Sequence, residues 1–160
     1  MRWFRFAVLL SLVAVLQAGV LAHWNIKPDL LLILLVFFAV YSNTSEAVIT
    51  SFTIGFAADI IGFAMGPQII SFGLFGTLLA YLHRVIAIRR MPYQAAAIFI
   101  TGLLAGALVH FLTFLKGQPT APNLYIVLLA TSLYSAIVGP FLFLPSAWWM
   151  RIKTDRFSRH

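Results

Sequence analysis

A chain of 160 residues with 62% hydrophobic and only 9% charged side chains is far from the roughly half-apolar, quarter-charged mix of soluble domains; lipid has to be the solvent for most of it. The absence of cysteine excludes disulfides, thiolate nucleophiles and Cys-based zinc or iron–sulfur sites. The net charge of +7 would point to nucleic acid in a soluble protein, but here the basic residues stand at the ends of apolar segments, where they report membrane orientation.

A spanning helix needs roughly 20 apolar residues to cross a hydrocarbon core of about 30 Å. Breaks at charges, prolines and glycine clusters place helical spans near 3–22, 28–43, 46–64, 67–86, 93–115 and 123–147, in one domain over 1–160. The fold class is therefore an all-α polytopic membrane bundle of about six helices.

The first span follows Arg2 and Arg5, and so also reads as a signal peptide with a basic leader. Its apolar run is longer than usual for that, and no small-x-small cleavage site precedes His23 and Trp24, so a retained helix is expected. Ala14, Ala18 and Ala22 form a small-residue stripe, extended by Ser11 and interrupted by Gln17. Packing inside the bundle is the plain reading of it, and a docking face for another helix the alternative.

Lys27-Pro28-Asp29 opens the second span, with proline suited to a first helical turn and the acid complementing the helix dipole. The span is short, so it should tilt little or pinch the bilayer. At its far end Asn43-Thr44-Ser45-Glu46 carries an N-x-x-E capping pattern that can launch the third helix after a tight turn, making an antiparallel hairpin.

Asp59 lies 12 positions beyond Ala47, roughly 18 Å along the third helix, and is the one acid expected deep inside a span. Gly55 and Gly62 share its face and would let a neighbouring backbone come close. A carboxylate in hydrocarbon is costly, so three readings stand: a hydrogen-bonded structural acid, coupling to a partner, or proton or ion transport. Transport usually shows several intramembrane titratable groups, and only His110 is a comparable second one.

Gly62 to Pro67 breaks the chain, and the fourth span runs into His83-Arg84 and Arg89-Arg90 before Pro92 opens the fifth. There Gly102, Gly106 and His110 recur at four-residue spacing, a pattern of helix packing ending in a polar group. After the polar connection from Lys116 to Pro122, Gly139-Pro140 predicts a kink in the sixth span, and Pro145, Trp148 and Trp149 mark its exit at an interface.

Alternating the spans puts nine basic residues, Arg2, Arg5, Arg84, Arg89, Arg90, Arg151, Lys153, Arg156 and Arg159, on one side against Lys27 and Lys116 on the other. This predicts both termini in the cytoplasm. Arg84, Arg89, Arg90, Arg151, Lys153 and Arg156 read as topology signals and headgroup anchors. No two of the His, Asp and Glu residues share the spacing of a helical metal site, and no phosphate loop, nucleophile elbow or carboxylate pair is present. No enzyme activity, cofactor or metal is expected.

The string Lys27-Pro28-Asp29-Leu30-Leu31-Leu32, the tight polar turn after it, and Gly55-Phe56-Ala57-Ala58-Asp59 with Gly66 seven residues on resemble the rod shape-determining protein MreD family. Met65-Gly66-Pro67 stands where that family has a Leu-Gly or similar turn. The resemblance implies a non-enzymatic component of the bacterial cell-elongation machinery in the inner membrane, serving cell-shape maintenance and lateral peptidoglycan synthesis. It implies an MreC-like single-span partner, direct or indirect contact with MreB, RodZ, RodA and a class B penicillin-binding protein, and no nucleic acid. It also implies a fold similar to the S components of energy-coupling factor transporters. By carry-over Pro28, Asp29, Gly55, Asp59 and Gly66 become fold-shaping and partner-facing residues, with Gly62 and His110 added from their positions. The alternative is a vitamin-binding S component docking its coupling subunit through Ala14, Ala18 and Ala22. Against it stands the shortage of polar groups on the outer loops, since such a pocket needs several convergent hydrogen-bonding side chains. A third reading is a proton-coupled transporter using Asp59 and His110.

Overall fold

The run from Leu30 to Tyr41 has no polar face, and a helix apolar on every side belongs in an interior. In the computed structural model, which describes residues 3–19, 29–62, 66–83, 91–117 and 124–150, this run is helix α2 (Leu30–Tyr41), and every residue from Leu31 to Val40 is buried. Around it stand α1 (Trp3–Ala18), α3 (Thr44–Gly62), α4 (Pro67–Leu82), α5 (Met91–Leu115) and α6 (Leu124–Met150), and α2 touches each of the five. Among the described residues there are six helices and no strand. Pro28, Ala22, Arg84, Arg89, Arg90, Arg151, Lys153 and Arg156 lie outside the described residues.

Among the described residues three helices are long and apolar enough to cross a membrane, over Thr44–Ile61, Pro92–Leu115 and Tyr125–Phe143. The other three are shorter apolar helices. With 12 residues, α2 covers only about 18 Å by its rise. The sequence places a short span over 28–43 that should tilt little or pinch the bilayer. Its flanks meet protein on every side, from all five other helices.

Apolar surface gains little by leaving lipid for a protein interior, so close packing and satisfied polar groups have to hold such a bundle. Aromatic rings supply part of the packing. Phe38 of α2 meets Phe6 of α1 edge-on at 4.9 Å between centroids, and Phe37 meets Phe143 of α6 at 5.5 Å. Small residues supply the rest: a Cβ on Gly76 of α4 would collide with Ser51 of α3, and one on Gly102 of α5 would come within 2.8 Å of Leu32 and 3.0 Å of the Ser132 hydroxyl.

The hairpin of α2 and α3 forms as the capping pattern predicts, with α3 starting two residues earlier than the expected span. The amide of Ser42 donates back to the Phe38 carbonyl at 3.0 Å, and the Asn43 carbonyl accepts the amide of Ala47 at 2.8 Å. At the other end of the chain α6 is one continuous helix through Pro140 and Pro145. Prolines are tolerated in membrane helices where neighbours and local adjustment satisfy the freed backbone groups. The helix α1 is the most loosely held: Phe6 is its one buried residue, with Leu9, Leu10 and Val13 packed partly against the core.

Candidate functional site

A helix that ends inside an apolar bundle exposes four amide N–H groups at its start, and in lipid none can be left to water. Three of the four at the start of α2 have side-chain partners. The Asp29 amide donates to the Ser135 hydroxyl of α6 at 2.8 Å, the Leu31 amide to Oε1 of Gln17 on α1 at 3.1 Å, and the Leu32 amide to Oδ1 of Asp29 at 3.1 Å. Asp29 is thus a helix N-cap, in extended conformation at φ −86°, ψ 92°, and its carboxylate sits at the positive end of the α2 dipole. Ser135 lies 11 positions beyond Leu124, the first residue of α6, so α2 begins some 16 Å down α6 by helical rise. Its N-terminus is sunk between α1 and α6.

Asp59 performs the same task for a different helix. It lies three residues before the end of α3, so it sits near a helix end and not mid-span as the sequence count suggested. It is 3% exposed. Its Oδ2 accepts the amides of Gly66 at 3.0 Å and Ile69 at 3.1 Å, and its Oδ1 accepts that of Gln68 at 3.1 Å. The first bond within α4 runs from the Ile70 amide to the Gly66 carbonyl, so the amides lacking a helical partner would be those of residues 66, 67, 68 and 69. Residue 67 is proline and has none. Asp59 therefore takes every amide hydrogen that α4 leaves over, and the cost of a carboxylate in an apolar bundle is offset by three charge-assisted hydrogen bonds and the α4 dipole.

The neighbouring motif residues make this geometry attainable. Gly55 is one turn before Asp59, where a Cβ would stand 2.8 Å from both the Gln68 carbonyl oxygen and the Ile69 Cα. The backbones of α3 and α4 touch there, and only glycine brings them close enough for a short Asp side chain to reach. Gly66 has φ +109° and ψ −45°, a conformation essentially reserved for glycine. A Cβ there would be 3.5 Å from the Lys116 Nζ at the end of α5. Gly62 closes α3.

The remaining predicted residues are spread more widely. Gly106 meets the Leu128 side chain and His110, half-buried, ends that stripe on α5. Among the described residues α3 and α5 make no contact, so Asp59 and His110 stand on helices that do not adjoin, which removes the simplest path for a direct relay. Ala14 is half-buried, beside Leu10 and Gln17 at the edge of the face that α1 turns to the core, and Ala18 is exposed. Gln17 and Ser135 were not predicted as site residues; the signal available was a lone amide in an apolar span. A further polar tie joins α5 to α2, the buried Gln94 side-chain amide donating to the Tyr41 hydroxyl at 2.8 Å.

Apolar helices of spanning length, set around a buried core helix whose first amides are met by side chains of α1 and α6, define a polytopic α-helical membrane protein. Its two described aspartates, Asp29 and Asp59, both serve helix N-termini. The chain matches the family of the rod shape-determining protein MreD over residues 1–152, nearly its whole length, and it belongs to that family. Rod-shape determination is the role that follows. No curated protein and no solved structure matches the chain.

Proposed function

We propose that this chain is a non-enzymatic scaffold of the bacterial cell-elongation complex, holding an MreC-like single-span protein in the inner membrane and through it the wall-synthesis machinery. The observation that carries the reading, beside the family, is the use of Asp59. Both of its oxygens are occupied as acceptors for the start of α4, which is the behaviour of an acid that fixes shape. Six helices that all traverse the bilayer, with both termini cytoplasmic, suit the distribution of basic residues. A likeness to S components belongs to the same proposal, as a likeness of fold that does not bring vitamin binding with it.

The test is affinity purification of the tagged chain in mild detergent, with mass spectrometry of the proteins and of the small molecules that accompany it. Recovery of an MreC-like protein and of wall synthases is the expected result. A coupling ATPase or a stoichiometric vitamin in their place would overturn the scaffold reading.

A further inference from the structure

The end of α5 fixes where the Lys116 side chain starts from. The Lys116 amide donates to the Leu112 carbonyl at 3.1 Å, and Gly117 then turns out of the helix at φ +77° with its amide on the Phe114 carbonyl at 2.9 Å. From there the side chain reaches the reversal between α3 and α4, where a Cβ on Gly66 would stand 3.5 Å from the Lys116 Nζ. The same Gly66 donates its amide to Asp59 Oδ2 at 3.0 Å. The Cβ site and the amide nitrogen of one residue are about 2.5 Å apart, so the ammonium lies no more than about 9 Å from Oδ2. Gly66 is the N-cap of α4, the positive end of a helix, where a cation alone is repelled. An ammonium there needs an anion. The chain has four acids, Asp29, Glu46, Asp59 and Asp155. Glu46 is in the first turn of α3, roughly 20 Å along that helix from Asp59. Asp29 caps α2 three residues before Leu32, which packs at Gly102 of α5, and Lys116 is roughly 21 Å further along α5 than Gly102. Asp155 lies outside the described residues, and the segments 63–65 and 118–123 contain no acid. Asp59 is therefore the acid that the fold brings to Lys116.

We infer that Lys116 is the countercharge of Asp59, and that this attraction ties the end of α5 to the α3–α4 reversal. The two helices α3 and α5 make no contact along their lengths among the described residues, so the tie couples elements that packing leaves apart. It acts between net charges and does not depend on a direct hydrogen bond between the two groups. Lys116 is exposed, but Asp59 is buried, so salt screens the pair less than it would two surface groups. Asp59 thereby becomes the charge at which three helices meet: it belongs to α3, closes the start of α4 and holds the end of α5. The carbonyl end of α5 also attracts a cation. That attraction does not involve Asp59 and survives its replacement, which separates the two causes by experiment.

Because the chain has no cysteine, Lys116→Cys introduces a single thiol, on which methanethiosulfonate reagents place an aminoethyl, a methyl or a sulfonatoethyl group. The full chain is purified in an uncharged detergent, and heat unfolding compares the three adducts. The aminoethyl adduct, which restores the ammonium, should melt above the methyl adduct by about 2–4 °C, and the sulfonatoethyl adduct should melt below it. With Asp59→Asn in the same chain the aminoethyl adduct should lose its lead over the methyl one. Asp59→Ser, which also keeps a short acceptor without charge, provides a second neutral background should the first not fold. Three adducts that melt alike in the Asp59 chain would overturn the assignment by removing any role for charge. The same spread in the neutral backgrounds would overturn it by assigning the charge effect to the end of α5 alone.

Discussion

The Gln17 side-chain oxygen lies 3.1 Å from the Leu31 amide nitrogen, so a residue of the outermost described helix closes the backbone of the innermost one. Replacing Gln17 by leucine leaves a buried amide without its acceptor, which costs about 1–3 kcal/mol. Gln17→Leu should lower the melting temperature of the purified protein in detergent, and Gln17→Glu, which keeps an acceptor oxygen, should recover most of the loss. Equal melting of the leucine variant and the parent would show that the contact contributes nothing.

At Asp59 the expected effect is graded. Asparagine can place its one oxygen where Oδ2 stands and keep the Gly66 and Ile69 amides, losing that of Gln68. Leucine loses all three, at about 1–3 kcal/mol for each orphaned amide. Thermal unfolding should therefore rank the parent above Asp59→Asn, and that well above Asp59→Leu. Under the scaffold reading Asp59→Leu should also reduce recovery of the single-span partner and round the cells. Unaltered cell shape and co-purification would detach Asp59 from function.

Two glycines on helix faces should answer differently to alanine. At Gly55 the new methyl meets backbone atoms of Gln68 and Ile69, which move only if α4 moves. At Gly106 it meets the end of the Leu128 side chain, which has other rotamers. Gly55→Ala should cost about 1–3 kcal/mol and also loosen the Asp59 cap, while Gly106→Ala should be close to neutral. Denaturant or heat unfolding of the two variants side by side decides this, and equal losses would contradict it.

Because the chain has no cysteine, a single introduced one reports its side of the membrane without background. Under the six-span arrangement Gly117→Cys, after α5, should react with a membrane-impermeant maleimide applied outside spheroplasts. Asn43→Cys, between α2 and α3, should react only after permeabilisation. Labelling of both from the same side would rule out the alternating arrangement.

Much of the bundle was legible because apolar runs and their breaks are direct consequences of lipid as solvent. The α2–α3 hairpin could be read from Ser42 to Glu46, and Asp59 could be singled out because an acid in that company is expensive. Its task could not be read, since the contact joins residue 59 to residues 66, 68 and 69 across a chain reversal that no periodicity encodes. The clue lay in Gly66-Pro67, a helix start with one amide already deleted. The central place of α2 was missed by treating a short apolar run as a thin span, although its lack of any polar face marks an enclosed helix. Gln17 was taken for an interruption in an alanine stripe. A solitary amide in a membrane helix is better asked which backbone group it serves.

The enclosure of α2 also sets where this protein can vary. A methylene added or removed at Phe37 or Phe38 is felt on several sides, since these rings touch α1 and α6 as well as each other, and tightly packed interiors register volume changes of that size. A comparable change at Phe4 or Val15 of α1, both largely exposed, displaces only whatever fluid surrounds the molecule. Sequence drift is thus cheap on the outward face of α1, while acceptable replacements in α2 must satisfy several neighbours in one step.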